Sequence, residues 1–354
     1  MATKLRDQMT PKERVLAWEE GRPIDRVPSK FSYSPALLKF EGVDTKRYGT
    51  DNAYKIATEV KIYEKYRTEE LAAGFSVPGL YGATYANPEG GHAYILETVP
   101  LEGDDLKHPV ITDPKTDPRL APFWEYLDGI LEALGDKVPL RVMMEGPITQ
   151  AGRTIGVEKL LKKTLRDPEY VHAVLEHILQ TQLTLISALE GYDIGFQIMD
   201  PVSSGDVLSP ENYRAFAKPY LTRLFTEMTR IAGKKPYLHI CGHTEKVLHD
   251  IVETGPAAFS VDNALDLAEV KREIGDKVTV IGNVHPTATM LLGTPEDVDA
   301  DLKKCFQKAW DSPKGYIPGY GCGLPVPTPK ENVDAVYDAL WKYGRWPLNP
   351  ENFS

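Results

Sequence analysis

The sequence predicts an α/β protein, a (β/α)8 TIM barrel with an insertion after the second strand. Three observations carry this. From about residue 120 onward, short apolar runs alternate with helical spacing, which calls for a parallel sheet with helices outside it. Adding a first strand at 29–33 and a second near 72–76 brings the count to the eight strands of such a barrel. Polar and metal-competent residues then fall at the C-terminal ends of the strands, where barrels of this kind carry their chemistry. The alternative is an open doubly wound sheet. It lacks its usual signature, since no Gly-x-Gly-x-x-Gly follows a strand.

Each element has a local reason. Thr10-Pro-Lys-Glu13 offers an N-cap, a proline in the first turn and an acidic residue there, so a helix begins at Thr10 and stops near Gly21. Residues 51–66 have helical spacing, with Ala53, Ile56, Val60 and Tyr63 on one face. Residues 78–118 are the least regular stretch, with turns at 78–82 and 87–91 and an alternating run at 92–99. We expect an insertion or lid there, inside a single domain spanning 1–354. Strands follow at 140–144, 194–199, 236–240, 257–261, 278–281 and 315–318. The helices between and after them are expected at 122–134, 167–189, 209–233, 244–252, 265–274, 294–310 and 330–342.

Composition excludes several function classes. The formal net charge is −10 and no run of Lys or Arg could track a phosphate backbone, so nucleic acid is not an expected partner. No apolar stretch approaches the roughly 20 residues of a membrane span. The first residues carry no apolar signal-peptide region. Three cysteines make no disulfide framework and suit a reducing compartment, so a cytoplasmic enzyme is expected.

Candidate site residues stand at the strand ends: Glu145, Asp200, His239 with Cys241, Asp262, Asn283 and Cys322. His239-Ile-Cys241 puts two metal-competent side chains on one face of an extended segment. Cys322, in Gly321-Cys-Gly323, is a third candidate ligand on a distant strand. A Cys2His set with one position left open is a known catalytic zinc arrangement. Buried core thiols and a satisfied core histidine are the plain alternative. Cys305 shares a helical face with Val298, Leu302, Phe306 and Ala309 and reads as packing. Asp200 and Glu145 close apolar strands and are candidates for proton transfer or substrate anchoring; capping the next helix is their structural alternative. His243 and His285 are secondary candidates for the metal.

Glu145-Gly-Pro-Ile-Thr149, Asp200-Pro-Val-Ser-Ser-Gly-Asp206, Lys218-Pro-Tyr220, His239-Ile-Cys-Gly-His-Thr244, Ile281-Gly-Asn-Val284 and Pro318-Gly-Tyr-Gly-Cys-Gly-Leu-Pro325 resemble the uroporphyrinogen decarboxylase superfamily. Within it they resemble the cobalamin-dependent branch typified by methylcobalamin:coenzyme M methyltransferases. The resemblance implies a (β/α)8 barrel with zinc on His239, Cys241 and Cys322. It implies methyl transfer between a small substrate, either a thiol acceptor or an aryl methyl ether donor, and the cobalt of a corrinoid (cobalamin). Asp200 and Glu145 would then act at the catalytic centre, and Asp262 and Asn283 on the cofactor. No Asp-x-His-x-x-Gly corrinoid signature occurs, so a partner corrinoid protein is expected to deliver the cofactor. The branch also suggests anaerobic one-carbon metabolism or O-demethylation. Tyr33, Tyr81 and Tyr85 would suit a flat aromatic substrate. The runner-up is a metal-free decarboxylase. Porphyrin decarboxylases carry an arginine-rich stretch after the first strand, where this chain has Phe31-Ser-Tyr-Ser-Pro35.

Overall fold

The computed structural model describes residues 7–31, 35–86 and 94–354. Its strands are β1 (Leu71–Gly74), β2 (Thr84–Ala86), β3 (Tyr94–Glu97), β4 (Leu140–Glu145), β5 (Gly195–Met199), β6 (Tyr237–His239), β7 (Ala258–Ser260), β8 (Thr279–Ile281) and β9 (Tyr316–Ile317). Seven of them form one sheet in the order β1-β4-β5-β6-β7-β8-β9, and the pairs β5–β6 and β8–β9 are parallel. The expected first strand is present as one parallel bridge, Lys30 to Gly319; Tyr33 lies outside the described residues. With helices between successive strands this is the (β/α)8 fold. The insertion after its second strand, β1, carries the antiparallel pair β2–β3. No helix among the described residues is long and apolar enough to cross a membrane.

The chain's contacts gather into two compact units. The first draws on Met1–Ala72, Glu125–Arg141 and Phe259–Ser354. Its opening helix, Pro11–Glu19, starts in a capping box between Thr10 and Glu13, as the sequence predicts. The loop after it is built around buried charge. Arg14 donates to Asp25 at 2.7 Å and to Glu69 at 3.1 Å, and Arg26 pairs with Asp7 at 3.0 Å and also with Glu69. Both arginines are almost wholly buried. Burial raises the pKa of Asp25, but Arg14 and the Gln8 and Met9 amides outweigh it and hold the carboxyl at about 2. Its contribution to stability is therefore present above about pH 4 and is lost as pH falls toward 2.

The helix Asn52–Tyr66 forms where expected but turns a different face inward. Thr58, Glu59, Ile62, Tyr63 and Tyr66 are buried, whereas Ala53 is exposed. The reason is polar: Glu59 accepts a hydrogen bond from Tyr48, and burial pushes its carboxyl pKa up. Hydrogen-bonded to Tyr48, Glu59 can occupy a core position that hydropathy assigns to an apolar residue.

The second unit comprises Ala73–Trp124 and Val142–Ala258. The insertion is pinned inside it. Val99 N–H donates to Thr154 O at 2.7 Å, Trp124 Nε1 to Pro114 O at 2.7 Å, and Tyr81 OH pairs with Thr181 Oγ1 at 2.8 Å. Two helices that the sequence does not predict, Pro147–Ile155 and Val157–Arg166, follow β4 directly. The helix expected over 209–233 is interrupted. A π-helical turn at Tyr213–Ala217 precedes Lys218–Ala232, which opens on Lys218-Pro219. Pro219 has no N–H to continue an α-helical ladder from the preceding turn.

Candidate active site

Backbone hydrogen bonds align three strand ends. Gly146 N–H donates to Met199 O at 3.0 Å and Asp200 N–H to His239 O at 2.9 Å. Glu145, Asp200 and His239, which close β4, β5 and β6, thus lie side by side along one edge of the sheet.

Asp200 is fully buried. Thr149 Oγ1 donates to its Oδ1 at 2.5 Å, and the Ser203 hydroxyl donates to Oδ2. Burial pushes its carboxyl up to about 6, although these hydroxyls favour the ionised form. Glu145 is partly buried, with Oε1 2.7 Å from an Arg153 guanidinium nitrogen. Burial pushes Glu145 up to about 7; Arg153 opposes the rise and the neighbouring Asp200 adds to it. Two carboxyls that change charge near neutral pH are suited to proton transfer.

Gly146 makes room for this pair. A Cβ there would lie 2.3 Å from Asp200 Cγ. Gly146→Ala is therefore expected to displace Asp200 and cost about 1–3 kcal/mol, read as a lower thermal midpoint.

Glu145 also gives a sign for pH. Its folded pKa lies above the unfolded value, so folding takes up a proton and stability falls as pH rises from about 4.5 to 7. Glu145→Gln should remove on the order of 2–3 kcal/mol of that fall. Asp200 leaves a residual slope below about pH 6. Equilibrium unfolding at a series of pH values measures both.

His239, Cys241, Asp262 and Cys322 form a possible metal-binding group, with one donor atom from each within 4.8 Å of the others. Cys241 Sγ lies 3.3 Å from His239 Nε2, about the separation of two donors on one tetrahedral zinc. His239 is buried, and the two thiols are half-buried. Two thiols, an imidazole and a carboxylate are a donor set that zinc accepts, so the residues fit that ion. The neighbouring glycines leave no spare space: a Cβ at Gly242 would lie 2.0 Å from Asp206 Oδ2, and one at Gly321 would lie 2.6 Å from Asn263 N.

The other candidates are placed differently. Asp262 was expected on the cofactor; its carboxylate stands among the metal-competent donors, with Oδ1 fixed by Ala264 N–H at 2.8 Å. Asn283 uses Nδ2 to hold the Asp262 and Leu265 carbonyls at 3.1 and 2.9 Å, so it shapes the loop that presents Asp262. His243 pairs with Asp206 at 2.9 Å, and His285 Nδ1 accepts the Thr287 and Ala288 amides as a helix cap. Neither is in the metal-competent group. Cys305 is buried, and burial pushes its thiol up to about 12, as packing requires. Arg153, which the sequence reading passed over, sits on the unpredicted helix after β4. A basic residue two turns past a strand end is the signal that would have found it.

The uroporphyrinogen decarboxylase (URO-D) family matches residues 10–343. The chain belongs to that family. Within URO-D it is 28% identical over 347 residues to methylcobamide:CoM methyltransferase MtaA of Methanosarcina barkeri, covering 95% of this chain and 99% of that one. It is 26% identical over 348 residues to the methylated-thiol–coenzyme M methyltransferase of Methanosarcina mazei, covering 94% and 89%. The uroporphyrinogen decarboxylase of Pseudoalteromonas atlantica is 28% identical over 223 residues, 60% of this chain. A solved methyltransferase from Methanosarcina mazei shares the fold, with a TM-score of 0.77 at 23% identity over 94% of this chain and 98% of its own. The full-length agreement is with the methyltransferases of the URO-D family, and the chain is an enzyme of that kind.

Proposed function

We propose that this URO-D enzyme moves a methyl group between a small substrate and the cobalt of a corrinoid carried by a separate protein. A zinc ion would be held by His239, Cys241 and Cys322. The observation that carries this reading is the convergence of the His239, Cys241, Asp262 and Cys322 donors. The methylcobamide named for the relatives supports the corrinoid partner. A metal-free decarboxylase is disfavoured, because the relatives that align with 95% and 94% of the chain are both methyltransferases.

When bound, zinc supplies Lewis acidity, which favours a thiolate or polarises an ether oxygen. Asp262 would offer a carboxylate beside these three ligands, and Asn283 holds the loop that presents it. Glu145 would take the proton that a thiol acceptor gives up, or return one to the phenolate that an aryl ether leaves. Asp200, held by Thr149 and Ser203, would raise the proton affinity of Glu145 and so help it to hold that proton. Tyr85, close enough to Glu145 and Arg153 to feel both charges, would line the substrate side. The Tyr81 hydroxyl is taken by Thr181 and serves the insertion.

Two assays test the direction of transfer. One follows loss of methylcobalamin absorbance with thiol acceptors, and the other follows methylation of cob(I)alamin by methoxybenzenes. Turnover in either that disappears on chelation supports the proposal. Turnover in neither, with the corrinoid protein supplied, contradicts it.

A further inference from the structure

We propose that the helix Val157–Arg166 is the docking face for the partner that carries the corrinoid, and that this partner meets it with an apolar surface rimmed by acidic residues. The identity of the partner rests on the methyltransferase reading; the surface stands on exposure, charge and place in the fold.

The helix Pro147–Ile155 starts directly beyond the C-terminal end of β4, and Gly156, at φ +95°, turns the chain into Val157–Arg166. The next helix, Pro168–Ser187, takes the chain back to the start of β5. Val157–Arg166 is therefore inserted at the end of the sheet where Glu145 and Asp200 stand, which is the end a corrin must reach. Leu160 and Thr164 are buried and seat it on the neighbouring helices. Val157, Leu161 and Leu165 recur at four-residue spacing and form one row beside that buried edge. Leu165 is 81% exposed and Val157 38%. The apolar edge continues onto the insertion. A Cβ at Gly156 would lie 3.8 Å from Thr98 Cγ2, and Leu96 of β3, two residues before Thr98, is 59% exposed. Seven large apolar residues are exposed among the described residues, and Leu96, Val157 and Leu165 are three of them. A single exposed leucine needs no explanation, but a group gathered at one corner marks an interaction site.

Charge selects the partner. The helix carries Lys159, Lys162, Lys163 and Arg166 against one acid, Glu158, in a chain whose net charge is −10. Lys162 and Arg166 stand one residue on from Leu161 and Leu165, so they form the next row on the helix surface. Arg166 has no ion pair among the described residues. The Lys162–Glu158 pair is exposed on both sides, so water screens it and an acidic partner can replace Glu158. An apolar row with a charged rim is the layout of a protein interface. Basic rim residues speed encounter with an acidic protein, and the leucines hold the complex once it has formed. The corrinoid carrier is the macromolecule that methyl transfer must bring to this end of the barrel. A second copy of this chain is the competing occupant, which particle size separates from the carrier.

Calorimetric titration of the whole protein with the methylcobamide-loaded corrinoid protein tests this, using wild type, Leu165→Glu and Arg166→Glu. Wild type should bind, and affinity should fall by about 10- to 100-fold in Leu165→Glu, the range for loss of a central contact. Arg166→Glu should bind more weakly, and its affinity should depend less steeply on salt. Neither variant should change turnover of free methylcobalamin, which needs no docking. Both positions are exposed, and circular dichroism shows that each variant is folded. Equal binding by the three proteins, or no binding by wild type, overturns the proposal, and so does equal loss of free and protein-bound turnover. Analytical ultracentrifugation also overturns it if wild type is a dimer that Leu165→Glu dissociates. A protein that binds the carrier through Leu165 but never transfers methyl would refute the methyltransferase proposal alone.

Discussion

Cys322→Ala and His239→Ala proteins are expected to lose their zinc, and methyl transfer should fall by about 10³-fold or more. The size follows from the several kcal/mol of charge stabilisation that a bound metal gives a developing anion. Cys241 Sγ and His239 Nε2 already lie 3.3 Å apart, so removing one donor leaves the others converging on a position they cannot fill. Cys305→Ala is the matched control. That thiol is buried and far above its usual pKa, so its loss should lower stability and leave zinc content unchanged. Metal analysis beside the methylcobalamin assay reads both arms. A Cys322→Ala protein that keeps its zinc would remove Cys322 from the ligand set.

Arg14→Met should be the most destabilising single substitution outside the site, at about 3–5 kcal/mol. Arg14 is fully buried, and its guanidinium holds Asp25 and Glu69 in fixed geometry. Removing it strands the buried carboxylate of Asp25, which would lose the main partner that holds its pKa down, and leaves Glu69 to its pair with Arg26. Arg14→Lys should recover little, because an ammonium cannot fork between both acids. Denaturant unfolding measures the loss. A midpoint within error of wild type would show that the network contributes no net stability.

The residues that proved legible in the sequence share a physical cause. Short apolar runs ending in Glu145, Asp200, His239 and Asp262 announce strands from local sequence, because parallel strands buried on both faces read as continuous apolar stretches and polar groups gather at their ends. Capped helix starts at Thr10, Asp167, Ser209 and Thr294 were legible for the same reason: each cap answers to amides within four residues of it. The helix Pro147–Ile155 was not, since it is only nine residues long and its polar stripe of Thr149, Gln150 and Thr154 is buried, leaving Arg153 alone accessible. The inward face of Asn52–Tyr66 was misplaced because Glu59 satisfies itself against Tyr48, a partner that periodicity cannot register. The likeness of His239-Ile-Cys241 and Cys322 to zinc ligands could be read from residue types. The presence of Asp262 beside them could not, because it depends on how three separate strand ends converge.

Zinc K-edge X-ray absorption on the purified protein tests the central claim most directly. The account predicts two sulfur scatterers near 2.3 Å with nitrogen or oxygen near 2.0–2.1 Å, and one sulfur fewer in Cys322→Ala. A first shell of nitrogen and oxygen alone, or a wild-type spectrum unchanged in Cys322→Ala, would contradict it.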